Sequence, residues 1–398
     1  MTKEAGKMTL ALWLIHKINT KDWRIGKVTG WKHPEISQDV IDQIGRQELL
    51  RQAQELERRE LIRVKWRDFK TDIERIDVSV ENMDRLCAFA GVENPREELQ
   101  RAEEILKRWR EEAKEEWQKK YYDLLLERTT RGTVPVEVKD ENLFRCLNSL
   151  PGQEKSCWRR VFSANVLGDS KLFETKYETR LITILIHHSP YVREGMEAAQ
   201  ILAEHGVLTY SQTLEWKGPL VYEIGGIGTS IDTAGMIYGT IINAQTLEQS
   251  RVVSAGNVSR IVTIENKANY EDMRFRSDTL YIFAHGFFSP KERYFLSTLR
   301  EVLGEDTKYY HWGDMDYGGI RIFGYIKEHI FPEVRPLYMD GKTYEKALRQ
   351  GAGVKLDAGK RRKLERMEAG ELEELKDAIL QYGLEIEQEV LLCESVNV

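Results

Sequence analysis

Three short apolar runs between residues 261 and 312 constrain the fold of this chain more than any other feature. They cover residues 261–264, 280–284 and 309–312. A helical pattern of apolar residues follows the second run at residues 290–303, and another follows the third at residues 320–330. Strands that alternate with helices of about a dozen residues are typical of βαβ units. The pattern therefore predicts a parallel sheet in this part of the chain.

Each apolar run is followed by a polar residue or a glycine. Glu265 follows the first run, Gly286 lies shortly after the second, and Asp314 and Asp316 follow the third. Ligands of parallel sheets bind in the crevice at the carboxyl ends of the strands, so we expect the three carboxylates to converge there. The period of two along a strand would point Asp314 and Asp316 the same way and turn Met315 into the core.

Three converging carboxylates require a cation or protons, because like charges a few ångströms apart do not all stay ionised. Hard oxygen ligands suit one or two Mg²⁺ or Mn²⁺ ions. The pattern therefore predicts Glu265 as metal ligand or general base, and Asp314 and Asp316 as metal ligands. Gly318 and Gly319 would let a phosphate approach the free N–H groups at the start of the next helix. The alternative is that these carboxylates are solvated strand ends.

The order of Glu, Gly and DxD on successive strands is similar to that of the Toprim domain of topoisomerases, primases and related nucleases. Residues 262–266, 281–287 and 311–319 more closely resemble the JetD family. Members of that family are the nuclease subunits of Wadjet anti-plasmid systems and are related to the topoisomerase VI A subunit. Further similarity lies at residues 167–171, 218–220 and 383–389, so the resemblance covers roughly residues 160–392.

The resemblance implies a metal-dependent DNA endonuclease that hydrolyses double-stranded plasmid or other circular DNA. It also implies a homodimer and an SMC-like, condensin-related motor complex as partner. Two alternatives remain open. One is a topoisomerase VI A-like enzyme that cuts DNA through a covalent tyrosine, and Tyr177, Tyr191 and Tyr210 lie in the corresponding region. The other is a non-enzymatic DNA-binding scaffold subunit.

The chain of 398 residues is long enough for two or three domains, and we expect the fold class α/β plus α. Helices followed by a β-hairpin predict a winged-helix-like domain at residues 1–92. Residues 93–138 are predicted to form a long helical arm, with one helix over residues 94–128, and a linker. A mainly helical, winged-helix or CAP-like domain is expected at residues 139–224. The Toprim domain, with a Rossmann-like parallel sheet, would occupy residues 225–398.

The carboxyl-terminal region carries two further predictions. Residues 334–339 are predicted to form a fourth strand, and residues 372–392 a last helix. Glu389, on that helix, is a candidate for an outer carboxylate of the metal site.

Two basic clusters are predicted to contact DNA. Clustered Lys and Arg residues suit phosphate contacts, and neighbouring aromatic rings suit base stacking. The alternative for each cluster is a solvated surface. The first cluster, interleaved with Trp158 and Phe162, consists of Lys155, Arg159, Arg160 and Lys171, and the second consists of Lys360, Arg361, Arg362 and Lys363.

Composition is compatible with these predictions without requiring them. The net charge is -6, from 65 acidic and 59 basic residues, so a DNA-binding surface would depend on local clustering rather than on total charge. The four cysteines show no CxxC spacing, which predicts reduced thiols rather than a zinc site or a disulfide framework. No apolar run is long enough for a membrane span and the start does not resemble a signal peptide, so we expect a cytoplasmic protein without membrane contact.

Overall fold

The computed structural model describes residues 8–153, 155–225 and 228–393. The chain forms two compact units. The first contains the residues up to Ser149 together with His187–Pro190, and the second contains Leu150–Ile186 and the residues from Tyr191 onward. The four domains expected from the sequence are a finer division and stay a prediction.

The first unit combines helices with a small antiparallel sheet of order β1-β3-β2. The β-hairpin predicted from the sequence is confirmed by β2 (Arg63–Arg67) and β3 (Asp72–Ser79), which pair antiparallel with each other. The elements in chain order are α1 (Leu10–Ile18), α2 (Lys21–Arg24), β1 (Trp31–Lys32), α3 (Gln38–Ile44), α4 (Arg46–Arg58), β2 (Arg63–Arg67), β3 (Asp72–Ser79), α5 (Met83–Ala90), α6 (Pro95–Glu112), α7 (Glu116–Thr130) and α8 (Asn142–Asn148), with 3₁₀ turns at Asp68–Lys70, Val80–Asn82 and Val136–Lys139.

The single helix predicted over residues 94–128 is wrong, because the chain forms the two helices α6 and α7. Ala113 has extended backbone angles, φ -68° and ψ 131°, which end α6. A capping box between Glu115 and Gln118 then starts α7. The two helices pack against each other, and Arg110 Nε lies 2.5 Å from Asp123 Oδ1. The apolar positions stepping by three and four therefore form the facing sides of a helical hairpin.

The second unit is a mixed α/β structure built around a six-stranded sheet. Its elements in chain order are β4 (Cys157–Trp158), α9 (Arg159–Leu167), a π-helical turn (Phe173–Tyr177), α10 (Glu178–His188), α11 (Ala198–Glu204), β5 (Val207–Leu208), β6 (Thr213–Lys217), β7 (Val221–Ile224), β8 (Thr229–Asp232), β9 (Thr240–Asn243), α12 (Ala244–Gln249), β10 (Ser250–Ser254), β11 (Arg260–Ile264), α13 (Lys267–Asp272), β12 (Thr279–Phe283), α14 (Pro290–Val302), β13 (Lys308–Trp312), α15 (Tyr317–His329), β14 (Arg335–Pro336), α16 (Gly341–Arg349), β15 (Val354–Lys355), α17 (Ala358–Leu364), α18 (Glu373–Tyr382) and β16 (Leu384–Glu385), with 3₁₀ turns at Gly370–Leu372 and Gln388–Cys393.

The sheet has the order β14-β13-β11-β12-β6-β9 and is mixed rather than wholly parallel. The four strands β14, β13, β11 and β12 run parallel, which confirms the βαβ prediction for this part. The expectation of a purely parallel sheet is wrong at the other edge, where β6 and β9 pair antiparallel. Both strands come from the chain before β11, so they join the sheet edge without a crossover helix.

Strand β11 lies at the topological switch point of the sheet. After β11 the chain moves to β12 on one side, whereas after β13, on the other side, it moves outward to β14. The carboxyl ends of β11 and β13 therefore flank the crevice in which open α/β sheets bind ligands. Behind it, Val262, Ile264 and Trp312 belong to a buried apolar cluster.

Two predictions for the carboxyl-terminal part differ from the structure. The fourth strand is shorter than residues 334–339, since only Arg335–Pro336 pairs with β13. The last helix ends at Tyr382 instead of continuing to residue 392. Gly383, with φ 68°, takes the left-handed conformation that commonly ends helices, and the chain turns into β16. This early end frees residues 384–393 to reach the strand ends.

Two compositional predictions can also be compared with the structure. Cys87, Cys146 and Cys157 are free thiols, as predicted, whereas the side chain of Cys393 lies outside the described residues. None of the helices in the described parts of the chain has the length and apolar character that a membrane crossing requires.

Candidate metal centre

Glu265 and Asp314 meet at the switch point, as the sequence predicts. Glu265 directly follows β11. Its backbone N–H donates to Trp312 O at 3.0 Å, so the hydrogen bonding between β11 and β13 extends to Glu265. The backbone N–H of Asp314 donates to Glu265 Oε2 at 3.3 Å. The two carboxylates are thus held by the strand ends themselves rather than by mobile loops.

The electrostatics of this pair require protons or a cation to offset the negative charge. Burial raises the pKa of Glu265 to about 8, and the nearby charge of Asp314 adds to the shift. Burial also raises the pKa of Asp314 to about 6, although a hydrogen bond from the Gln388 backbone opposes the rise. A divalent ion would replace the proton that Glu265 otherwise holds near neutral pH, and it would offset the negative charge of Asp314. The pair therefore fits a hard cation such as Mg²⁺ or Mn²⁺.

Asp316 lies beside this pair but has other partners. Its Oδ1 accepts from the Gly319 N–H at 2.7 Å, which caps helix α15. Its Oδ2 accepts from Lys360 Nζ at 3.2 Å. Met315 is buried between the two aspartates, as predicted, and forms a β-bridge with Ile386. Among the described residues, no group of three or more His, Cys, Asp or Glu side chains has the arrangement of metal ligands.

The glycines singled out by the sequence have structural roles here. Gly286 has φ +100° in the loop after β12, a conformation that favours glycine. The Gly319 N–H is engaged by Asp316, and a Cβ at Gly319 would overlap the carbonyl oxygen of Asp314. A Cβ at Gly318 would lie 3.2 Å from Asp316 Oδ1. Tight packing around the DxD motif accounts for Gly319, and phosphate contact stays a prediction.

The carboxyl-terminal segment, residues 384–393, joins both strand ends and was largely missed by sequence reasoning. The Gln388 N–H donates to Asp314 Oδ1 at 2.7 Å, and Gln388 Oε1 accepts from the Asn266 N–H at 2.9 Å. Glu389 accepts from the Asn266 side-chain amide. The charge of Glu389 helps to raise the pKa of both Glu265 and Asp314. Glu389 thus lies beside the pair, in the 3₁₀ turn Gln388–Cys393 rather than on the predicted last helix, and its role as an outer carboxylate stays a prediction.

Two residues at the site were not singled out from the sequence. Gly313 faces Glu265, and a Cβ there would lie 2.5 Å from Glu265 Oε2 and 2.8 Å from His311 Nε2. His311 is fully buried, and burial lowers its pKa to about 3. Its Nε2 has no hydrogen-bond partner within the described parts of the chain. The sequence feature that could have identified His311 is its position inside the apolar run 309–312, where a polar side chain is unexpected.

His311 is held in one tautomer by its other ring nitrogen. Nδ1 lies 2.9 Å from Thr263 Oγ1, and Thr263 Oγ1 donates its own proton to Tyr310 O at 3.2 Å. The imidazole must therefore donate from Nδ1, which leaves Nε2 as an acceptor. A neutral acceptor thus lies directly behind Glu265.

The second basic cluster lies on helix α17, next to the DxD motif. Lys360 pairs with Asp316 and Glu385, and Lys363 Nζ lies 2.7 Å from Glu194 Oε1. Arg362 is exposed, and its Nε donates to Ala358 O of its own helix at 3.3 Å. Arg361 is partly buried. The structure thus divides the cluster into internally paired and solvent-facing residues, and its contact with DNA stays a prediction.

The first basic cluster is more dispersed than the sequence suggests. Lys155, Arg160 and Lys171 are exposed. Arg159 instead pairs with Glu174 at 2.9 Å and Glu178 at 3.1 Å. Trp158 is exposed, whereas Phe162 is buried against Phe173 and is not free to stack on a base.

The tyrosines considered for covalent cleavage differ in accessibility. Tyr177 is completely buried, so its hydroxyl is closed to DNA in this conformation. Tyr191 is partly buried, with its ring against His205. Tyr210 is 47% exposed, and burial of the remainder raises its pKa, which disfavours the phenolate nucleophile.

Fold and site together define an α/β protein with a partly buried carboxylate centre at the switch point of a mixed sheet. Residues 230–397 match the family described as Wadjet protein JetD, C-terminal. The chain is also 27% identical over 372 residues to Wadjet protein JetD of Bacillus cereus (strain Q1), in an alignment that covers 89% of this chain and 88% of that protein. The resemblance to JetD predicted from the sequence is therefore confirmed.

Proposed function

We propose that this chain is a metal-dependent DNA endonuclease of the Toprim type, and that it acts as the nuclease subunit of a Wadjet anti-plasmid system. The observation that carries the proposal is the pair Glu265 and Asp314. These two carboxylates are partly buried at the switch point of the sheet, and neither is paired with a cationic side chain among the described residues. The similarity to Wadjet protein JetD supports the biological setting.

The residues of the centre have distinct tasks in this proposal. Glu265 and Asp314 would hold Mg²⁺ or Mn²⁺, with Glu389 as an outer carboxylate. A bound ion of this kind lowers the pKa of water and neutralises charge on a phosphate. Glu265 would accept the proton of the attacking water as a new P–O bond forms. The bond from phosphorus to the 3′-oxygen breaks, and the leaving oxygen takes up a proton from solvent.

The substrate and partners follow from the same proposal. Double-stranded circular DNA would cross the crevice, with the exposed members of the two basic clusters contacting its backbone. An SMC-like, condensin-related motor complex would deliver the DNA. Two copies of the chain would cut the two strands.

A plasmid cleavage assay tests the proposal. Purified protein is incubated with supercoiled plasmid in Mg²⁺, Mn²⁺ or EDTA, with and without the motor complex. Glu265→Ala and Asp314→Ala are compared with Glu333→Ala, a control at an exposed surface pair with Arg300. We expect metal-dependent nicking or linearisation that the first two variants lose and the control keeps.

The DNA ends separate the rival mechanisms. Free ends after protein denaturation are expected for hydrolysis. Ends that remain attached to protein would assign the chemistry to a tyrosine and contradict the proposal. Absence of cleavage even with the motor complex and metal present would instead support a scaffold subunit.

A further inference from the structure

We propose that the ammonium group of Lys360 takes the place of a second divalent ion, so that each chain binds a single ion. Glu265 and Asp314 would hold that ion. Asp316 and Glu385 instead share the positive charge of Lys360. This inference rests on the proposed function, because it concerns the metal stoichiometry of the same carboxylate centre.

The contacts of Lys360 use its full donor capacity. Its Nζ lies 3.2 Å from Asp316 Oδ2, and 3.1 Å and 2.9 Å from the two carboxylate oxygens of Glu385. A lysine ammonium has three N–H donors, one for each of these oxygens. Asp316 and Glu385 are 20% and 11% exposed at their side chains, so the pair is partly shielded from water.

The backbone holds Lys360 at this place. Asp357 caps helix α17 and accepts from the Gly359 N–H at 2.7 Å and from the Lys360 N–H at 3.2 Å. Just before it, β15 pairs antiparallel with β16, which contains Glu385. The pairing of β15 with β16 and the cap of α17 therefore hold the ammonium of Lys360 close to the carboxylate of Glu385.

Asp316 has no oxygen left without a protein partner. Oδ1 caps helix α15 through the Gly319 N–H, and Oδ2 faces Lys360. Metal ligation by Asp316 would place a divalent ion next to the Lys360 ammonium on Oδ2, or next to the helix-capping contact on Oδ1. Glu265 and Asp314 differ, because neither forms an ion pair with a side chain in the described parts of the chain. Glu265 and Asp314 are thus the carboxylates of this centre whose charge a divalent ion would offset.

Lys360 remains open enough to act on a substrate. Its side chain is 42% exposed, so a phosphate on the solvent side would be attracted by the positive charge, although all three N–H groups already donate to Asp316 and Glu385. A fixed positive charge at that place stabilises the negative charge that develops during phosphodiester cleavage, which is a task of the second ion in two-metal sites. Lys360 would therefore serve the reaction from within the centre, rather than as part of a general DNA-binding surface.

Mn²⁺ binding measured by electron paramagnetic resonance on the full chain tests the inference without using activity. We expect about one Mn²⁺ per chain for the unmodified protein and for Lys360→Arg, which keeps the charge. Lys360→Met should bind about two, because it frees Asp316 and Glu385 for a second ion. Arg362→Met is the matched control on the same helix, and it should bind about one.

Two aspartate variants decide the question independently, including the case in which Lys360→Met fails to fold. Asparagine caps helices as well as aspartate does, so Asp316→Asn keeps the start of α15. We expect Asp316→Asn to keep the ion with a Kd weakened by no more than about 10-fold, and Asp314→Asn to weaken it by about 100-fold or more. Equal losses in the two variants would overturn the inference.

The remaining outcomes are also distinct. Two ions in the unmodified protein, or one ion of unchanged affinity in a folded Lys360→Met variant, would overturn the inference and leave the proposed function intact. No Mn²⁺ binding by the unmodified protein would overturn both.

Discussion

The carboxylate centre has two sides that the fold treats differently. Glu265 and Asp314 lie at strand ends, partly buried and without a cationic partner among the described residues, whereas the partly buried Asp316 and the buried Glu385 share the ammonium of Lys360. Both sides are made of the same residue types, and Asp314 and Asp316 are only two positions apart. Whether a carboxylate in this centre is available for a metal ion therefore depends on whether the surrounding structure already supplies a positive charge.

Cleavage kinetics should separate the two aspartates most strongly. We call Glu265 and Asp314 the uncompensated side of the centre, and Asp316 and Glu385 the compensated side. Asp314→Asn removes a charge from the uncompensated side, so we expect the cleavage rate to fall by about 10³-fold or more. Asp316→Asn keeps the helix cap and lies outside the proposed ligand set, so its loss should be about 10-fold to 100-fold. Single-turnover plasmid cleavage measures both rates. Comparable losses would remove the distinction between the two sides.

A pair of glycine variants on helix α15 tests how tightly the uncompensated side is built. Gly319→Ala should lower the free energy of unfolding by about 3 kcal/mol, because its Cβ would overlap the Asp314 carbonyl oxygen. Gly324→Ala is the control, since nothing lies within 4 Å of a Cβ there, and it should add about 0.5–1 kcal/mol through helix propensity. Urea unfolding measures both changes, and a harmless Gly319→Ala would show that the DxD backbone is looser than the structure indicates.

The pH dependence of stability should come from the uncompensated side. The pKa of Glu265 is about 8 in the folded chain against an ordinary 4.5, so between these values the folded state holds a proton that the unfolded state has released. Stability without metal should therefore fall as the pH rises through this range, by up to about 1.4 kcal/mol per pH unit. Asp314, with its pKa raised to about 6, adds to the slope at the lower end.

Chemical unfolding in EDTA at several pH values measures this slope. Glu265→Gln serves as the control, because it cannot ionise and should flatten the slope between pH 6 and 8. A slope that is unchanged in Glu265→Gln would assign the pH dependence to other groups.

The compensated side should show a smaller effect on stability. Lys360→Met leaves Asp316 and Glu385 facing each other without a cation, but the partial exposure of Lys360 lets water screen them. We expect a loss of about 1 kcal/mol at neutral pH, which added salt should reduce. Lys360→Arg is the control and should stay near the unmodified protein.

Local patterns in the sequence predicted much of the second unit. The strands at residues 261–264, 280–284 and 309–312 agree with β11, β12 and β13 to within a residue or so. These strands were predictable because they are apolar on both faces and end in clear polar signals. The meeting of Glu265 with Asp314 followed from parallel topology alone.

What could not be predicted depends on contacts between distant residues. The apolar periodicity of residues 372–392 continues beyond the end of α18, so the pattern did not reveal that Gly383 stops the helix. Nothing local indicates that Gln388 would bond Asp314, or that Lys360 would turn inward while Arg362 stays exposed. The break at Ala113 was closer to being predictable, because Glu115 and Gln118 have the spacing of a capping box.

The hydrogen bonds of Gln388 carry a consequence for how the protein folds. They join positions separated by 122 residues from Asn266 and by 74 from Asp314, so they close long chain loops. Contacts of such high sequence separation form late, after the local βαβ units. We expect the central strands to gain protection from hydrogen exchange during refolding before the amide of Gln388 does. A newly made chain would then have its sheet in place while its two strand-end carboxylates are still unjoined, and cleavage competence would be the last property it acquires.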